Sequence, residues 1–179
     1  MILSRRHFLT SMILAGFVLL GAGQSVSEEY QVKALFLFNF AQFVKWPSSD
    51  FSSANEPFRI GVLGENPFGT FLSETVKGES VEGHPLVVQH YDSPAAVKDC
   101  KILFVSDSEK EAIGQILAAL KDRDVLTVGD TPDFLKEGGI IRFVPEGNKI
   151  HFRVGLDRAN NLKFSISSKV LRLADPGKD

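Results

Sequence analysis

The chain has 179 residues, with 20 basic and 22 acidic side chains, a formal net charge of −2 and one cysteine. This length allows one domain of ordinary size, and the absence of a lysine- or arginine-rich run argues against a nucleic-acid-binding or anionic-lipid-binding protein. Because Cys100 has no second cysteine to pair with in this chain, an internal disulfide is excluded and the fold must be held by its core.

The first 23 residues predict an export signal. Arg5 and Arg6 precede an apolar run over residues 12–20, and a Gly-Ala-Gly stretch ends at residue 23. A basic region, a short apolar region and small residues in this order are typical of a cleaved secretory signal. The paired arginines favour the twin-arginine route, and an ordinary Sec signal is the alternative. We expect residues 1–23 to be removed and the remainder to act outside the cytoplasm.

Residues 28–46 predict the first helix. Glu28 and Glu29 lie in its first turn, where the helix dipole favours acids, and Pro47 ends it. Apolar side chains cover most of its circumference. A helix of this kind is buried on several sides or covers a partner.

Strand and helix signals alternate after this helix. Strands are predicted over residues 58–64, 85–89, 102–105 and 125–128, followed by a hairpin of 140–144 and 150–154. Helical segments are predicted from Asn66 to about residue 76, over 94–98, from Ser106 to residue 120, over 131–139 and over 166–173. We expect one α/β domain over residues 28–175. Its architecture is a three-layer sandwich of a mostly parallel sheet, helices on both faces, and an antiparallel edge hairpin near the C-terminus.

Polar residues follow three of the predicted strands, at the sheet edge where ligands bind in such folds. A ligand crevice there would use Gly64, Asn66, Ser106, Asp107, Gly129 and Asp130. The alternative is that these residues only cap helices, which is the ordinary use of Asn, Ser and Thr at such positions. A small-ligand-binding module is therefore one of the functions we consider.

No catalytic or metal-binding pattern is visible in the sequence. The stretch from Gly64 to Thr70 has the spacing of a phosphate-binding loop but lacks its lysine. His84, His90 and His151 have no partners at metal-site spacing, and no nucleophile motif is present. We expect a protein that is not an enzyme and holds no metal or cofactor, with Cys100 serving in packing.

Two segments resemble the YfiR-like family of exported bacterial proteins. Residues 32–47, which contain an Asn-Phe-x-x-Phe-x-x-Trp-Pro element, are similar to the opening helix of that family. Residues 138–144 through 166–174 are similar to its closing segment. Between them, residues 60–64, 100–106 and 125–130 follow in matching order.

The resemblance implies a periplasmic regulator without enzymatic activity. Its best-known type represses a membrane-bound diguanylate cyclase by binding the cyclase's periplasmic sensor region, with effects on cyclic-di-GMP, biofilm and motility. It implies relief of repression by an outer-membrane lipoprotein, and a tendency to form homodimers. The paired cysteines of the family are reduced here to Cys100, which puts redox control through a disulfide in doubt.

The first and last helices supply the predicted contact residues for a partner or a second copy. These are Phe36, Phe40, Phe43, Trp46, Lys169 and Arg172. The alternative is that the aromatic residues are core and the basic residues are solvated helix surface.

Overall fold

The computed structural model describes residues 26–47, 49, 51–159 and 162–176. The predicted export signal, residues 1–23, lies outside them. Within the described part of the chain, no helix is long and apolar enough to cross a membrane.

A seven-stranded sheet is the centre of the fold. The described residues form nine strands, of which all but β1 and β9 belong to this sheet. They are β1 (Val44–Lys45), β2 (Phe58–Leu63), β3 (Ser80–Val81), β4 (His84–Tyr91), β5 (Cys100–Val105), β6 (Leu126–Gly129), β7 (Ile141–Glu146), β8 (Lys149–Val154) and β9 (Ser165–Ile166). The sheet has the order β3-β4-β2-β5-β6-β7-β8. Strands β4, β2, β5, β6 and β7 are parallel to one another, and the edge strands β3 and β8 are antiparallel to β4 and β7. The predicted hairpin is β7 and β8.

Helices cover both faces of this sheet. They are α1 (Glu28–Phe43), α2 (Phe71–Val76), α3 (Ile113–Leu120), α4 (Leu156–Ala159) and α5 (Ser168–Leu173), with 3-10 turns at Pro94–Ala96 and Asp107–Ala112. Buried residues of α1, α2 and α5 pack on one face, and those of α3 pack on the other. The predicted α/β sandwich is confirmed.

Strand β5 shows how the sequence produces two cores. Ile102 and Phe104 belong to the core beneath α1, whereas Leu103 and Val105 belong to the core beneath α3. Because successive side chains of a strand point to opposite faces, a strand buried on both faces must be apolar throughout. The continuous apolar run at residues 102–105 is therefore the signature of this central position.

The first helix ends three residues earlier than predicted. Val44 and Lys45 leave the helix and pair with Ile166 and Ser165 in a two-stranded antiparallel sheet of β1 and β9. This pairing joins the end of α1 to the start of α5. Pro47 therefore lies beyond a short strand and does not end the helix directly.

Two predicted helix starts also differ. Asn66 caps a turn, since its side chain accepts from Phe68 N and donates to the carbonyl of Gly69, and α2 begins only at Phe71. Ser106 caps the 3-10 turn, where its hydroxyl accepts from Ser108 N. The Ser-x-x-Glu spacing of Ser106 and Glu109 is that of a capping box, but the N–H of Ser106 donates to the carbonyl of Leu63 and not to Glu109.

Candidate functional site

An apolar groove lies between α1 and α5. It has a volume of about 420 Å³ and is lined by Phe36, Asn39, Phe40, Phe43, Phe152, Lys169, Val170, Arg172 and Leu173. This surface is named the α1/α5 groove below. Its lining combines aromatic side chains with two basic ones, so it can accept an apolar group beside a negative charge.

The floor of the α1/α5 groove is made of packed aromatic rings. The ring centroids of Phe40 and Phe152 are 5.1 Å apart, and those of Phe36 and Phe152 are 5.5 Å apart, both in edge-to-face geometry. Phe40 and Phe152 are buried, and Phe143 packs behind them. Because these rings are held on several sides, the floor is preformed and costs little side-chain entropy on binding.

The rim is exposed and basic. Phe43 is 39% exposed and Leu173 is 69% exposed, which is unusual for such large apolar residues when they serve only the core. The Nζ of Lys169 lies 5.3 Å above the ring of Phe43, a cation–π contact that places the ammonium at the groove. Arg172 lies one turn further along α5.

Five of the six predicted contact residues meet in this groove. Trp46 does not, because it is buried and packs against Phe58 and Phe164, with ring centroids 5.5 and 4.5 Å away. Trp46 is a core residue, as the alternative interpretation of the aromatic pattern expected. Phe40 is also buried and contributes only to the floor.

A second concavity, of about 680 Å³, lies at the carboxyl ends of β2 and β5. Its lining residues are Val26, Ser27, Tyr30, Glu65, Asn66, Pro67, Gly69, Ser106, Asp107 and Ser108. It is named the switch-point crevice below. The chain passes from β2 to β4 on one side and then returns to β5 on the other, so the strand order reverses here. Open α/β sheets bind ligands at such a point.

Three of the six predicted crevice residues line it: Asn66, Ser106 and Asp107. Gly64 lies at its edge with φ +86°, where an added Cβ would be 2.5 Å from the Oγ of Ser108. Gly129 and Asp130 follow β6, one strand further from the reversal, and are not among the lining residues. The structure therefore does not bring these two positions into the lining.

Gly129 has a packing role instead. A Cβ there would lie 2.4 Å from Cε2 of Phe134, whose ring is fully buried in the core beneath α3. The glycine therefore leaves room for this ring and contributes nothing to the crevice.

Asp130 belongs to a buried ion-pair network that sequence reasoning missed. The Nζ of Lys33, only 1% exposed, lies 2.6 Å from Oδ2 of Asp130 and 2.5 Å from Oε1 of Glu29. The hydroxyl of Tyr30 donates to the same Oδ2 at 3.0 Å. The signal in the sequence was the spacing of Glu29 and Lys33, which lie four residues apart and can pair on a helix. Lys33 also shares the buried side of α1 with Ala34 and Leu37.

The carboxylates around Tyr30 change its acidity. Burial raises the pKa of the Tyr30 phenol, and the charge and hydrogen bond of Asp130 and the charges of Glu29 and Asp107 raise it further. The phenol therefore stays protonated and remains a donor to Asp130.

A family model described as YfiR/HmsC-like matches residues 30–175. The chain belongs to the YfiR/HmsC-like family. The matched span contains the α1/α5 groove and all of the switch-point crevice lining except Val26 and Ser27. No protein of curated function matches the chain at a significant level. The family is known as regulatory rather than catalytic.

The single cysteine of this YfiR/HmsC-like chain is placed in the core. Cys100 is buried at the start of β5, and its thiol donates to the carbonyl of Ile102. Burial raises the pKa of the thiol to about 12. A protonated, inaccessible thiol is unreactive, which supports a packing role.

The described residues also contain no group of three or more His, Cys, Asp or Glu side chains that could hold a metal ion.

Proposed function

We propose that this chain is an exported regulator that binds the periplasmic part of an inner-membrane diguanylate cyclase and represses it. The observation that carries the proposal is the family match over residues 30–175, because the YfiR/HmsC-like family is associated with a periplasmic regulator of such a cyclase. The predicted export signal would deliver the protein to the compartment where the outer face of the cyclase is accessible. Repression lowers cyclic-di-GMP in the cytoplasm.

The α1/α5 groove is the contact surface in this proposal. Its floor is rigid and aromatic, and its exposed Phe43 and Leu173 gain most from burial by a partner. Burying a fully exposed side chain of this size contributes about 1.5–3 kcal/mol. Phe43 and Leu173, which are partly exposed, would gain the corresponding part of that value. A few such residues at a groove are enough to dominate the binding free energy.

The charges on the rim indicate what kind of segment binds. Lys169 and Arg172 are both basic and lie along one side of the groove. The complementary partner segment carries an apolar side chain for the floor and one or more carboxylates for the rim. We therefore propose an amphipathic, acidic segment of the sensor region as the occupant.

Repression follows if the chain binds the inactive form of the cyclase more tightly than the active form. A ligand shifts a two-state equilibrium only by its difference in affinity for the two states. Moving a receptor from 99% active to 1% active takes a preference of about 10⁴-fold, or about 5.5 kcal/mol. An outer-membrane lipoprotein that occupied the same groove would relieve repression by competition.

The proposal is tested by binding measurements with the purified periplasmic region of the cyclase. The cyclase is first identified as the inner-membrane protein that co-purifies with a tagged copy of the chain. Phe43→Glu and Arg172→Glu are expected to abolish binding or weaken it by more than tenfold. Leu35→Glu is the matched control for the first variant, since Leu35 is also an exposed apolar residue of α1 but does not line the groove.

Lys77→Glu is the matched control for the charge reversal, since Lys77 is exposed at the end of α2. Equal binding by all four variants would contradict the groove as the contact surface. Sedimentation of the chain alone decides whether a second copy occupies the groove. A dimer that Phe43→Glu dissociates, with cyclase binding intact, would assign the groove to self-association instead.

A further inference from the structure

The aromatic floor of the α1/α5 groove is almost fully covered in the structure. Phe40 and Phe152 are each only 1% exposed. Val170 of α5 is also buried, belongs to the same core cluster and lines the groove with them. A ring with almost no exposed surface gains little from an apolar partner, because there is almost no water-accessible area left to bury. A partner side chain can therefore use this floor only if the element above it moves.

The helix α5 has little buried surface of its own. It has six residues, and Val170 is the one among them that is buried. A helix this short is not stable by itself in water, so its position depends on its attachments. Before it, the two residue pairs of β1 and β9 tie the chain to the end of α1. The N-cap residue Ser167 makes no side-chain capping bond.

Open space borders α5 on two sides. The α1/α5 groove lies beside Lys169 and Leu173, whereas concavities of about 310 and 390 Å³ lie beside Leu171. At 3.6 residues per turn, Leu171 is on nearly the opposite side of the helix from Lys169 and Leu173. The helix is therefore not wedged between neighbouring elements.

The chain after α5 is fastened to the edge strand β8. The N–H of Asp175 donates to the carbonyl of Phe152 at 2.8 Å, and Oδ2 of Asp175 lies 3.1 Å from Nε of Arg153. These two contacts are named the β8 clip. Both side chains of the ion pair are partly exposed, so the pair is of modest strength. Neither Arg153 nor Asp175 lines the α1/α5 groove.

We propose that residues 168–176 form a movable cover of the aromatic floor, which the β8 clip holds shut and which lifts to admit the partner segment. An apolar side chain of that segment then takes the place of Val170 on Phe40 and Phe152. Lys169 and Arg172 move with the cover and close on the carboxylates of the segment. The identity of this occupant rests on the proposed function, whereas the movement of the cover is a property of the chain alone.

The β8 clip then sets the affinity as well as the access. Since the floor is available only in the open form, the apparent affinity is the intrinsic affinity reduced by the fraction of molecules that are open. A weaker clip raises this fraction, and a permanent clip abolishes it.

Hydrogen exchange of the mature protein alone measures the movement. The amides of Leu171 and Ala174 donate within the cover, so lifting and unwinding of the cover expose them. Asp175→Asn removes the charge of the clip. We expect it to speed exchange of these two amides by about threefold to fivefold, which is the effect of one partly exposed ion pair. The amides of the central strand β5 should exchange as before.

Two variants serve as controls for this measurement. Asp175→Glu keeps the charge and should exchange within about twofold of the unmodified chain. Asp107→Asn removes the same charge from the 3-10 turn after β5, which lines none of the concavities around α5. Equal exchange of the cover in Asp175→Asn and Asp107→Asn would overturn the proposal. So would an increase that β5 shares, because it would report unfolding of the whole domain.

A cross-link tests whether the partner needs the movement. Arg153→Cys and Asp175→Cys are combined and joined by a short bismaleimide, which holds the cover shut from outside the groove. The buried Cys100 does not compete for the reagent. We expect the cross-linked chain to bind the periplasmic region of the cyclase more than tenfold more weakly than the unmodified chain. Before cross-linking, the same variant should bind at least as tightly as the unmodified chain.

The outcomes separate the cover from the proposed function. Unchanged affinity of the cross-linked chain would overturn the cover and leave the groove as the contact surface. Absence of binding by the unmodified chain would contradict the proposed function, and the exchange measurement would then decide on the movement of the cover by itself.

Discussion

Replacing Lys33 with methionine would remove the cation from the network that joins α1 to the end of β6. Asp130, whose side chain is 8% exposed, would keep the hydroxyl of Tyr30 but lose its ion-pair partner at 2.6 Å. Removing one partner of a buried pair costs about 3–5 kcal/mol, because the remaining charge is left uncompensated. Tyr30 still donates to Asp130, so we expect the lower end, about 3 kcal/mol.

This loss is measurable by urea denaturation followed by circular dichroism and by the fluorescence of Trp46. A domain of this size has a denaturant slope of about 2 kcal/mol per molar urea, so the midpoint should fall by about 1.5 M. Adding Asp130→Asn to Lys33→Met should restore about 1 kcal/mol or more, since it removes the stranded charge. Lys136→Met, at an exposed pair with Asp133, is the control and should change stability by less than about 1 kcal/mol.

A midpoint shift for Lys33→Met no larger than that for Lys136→Met would contradict a stabilising role of the network. A double variant less stable than Lys33→Met alone would contradict it as well. In either case the buried network would be unimportant to folding, and its place beside the switch-point crevice would need another explanation.

Four further predictions concern Gly129, Tyr30 and Cys100. Gly129→Ala should destabilise the protein by about 1–3 kcal/mol in thermal unfolding, because its Cβ would meet the buried ring of Phe134; an unchanged melting temperature would contradict this. Tyr30→Phe should cost about 1–2 kcal/mol in urea unfolding through the lost hydrogen bond to Asp130, and a neutral effect would count against that bond. Cys100 should react with a thiol reagent at pH 8 only as fast as the chain unfolds; rapid labelling of the native protein would contradict its burial. Since burial raises its folded pKa from about 9 to about 12, the contribution of Cys100 to stability is full below pH ~9 and is lost as the pH rises towards 12, and Cys100→Ala should weaken this alkaline loss.

The strands and their burial were predictable because a strand between two helical layers must be apolar on both faces. The run at residues 102–105 is of this kind, and the structure places it at the centre of the sheet. The ends of the helices were less predictable, since they depend on distant partners. Val44 leaves α1 because Ile166, more than a hundred residues away, offers it a strand to pair with.

The candidate sites were predictable to different degrees. The aromatic pattern of α1 indicated Phe36, Phe40 and Phe43, but only the packing of α5 shows that they share a groove with Lys169 and Arg172. The lining of the crevice could not be predicted without the strand order. That order places the end of β6 one strand beyond the reversal, so Gly129 and Asp130 are not lining residues.

Lys33 was missed for a physical reason. A lysine on a helix is almost always solvated. Its burial here depends on the carboxylates of Glu29 and Asp130, which the fold places within ion-pair distance of its ammonium.

Repression through the α1/α5 groove is measured in cells that lack the gene, by their level of cyclic-di-GMP. Deletion should raise the level, and complementation with the unmodified chain or with Leu35→Glu should lower it again. Phe43→Glu, present in equal amount in the periplasm, should leave it high. An unchanged level after deletion would contradict the account, and so would full repression by Phe43→Glu.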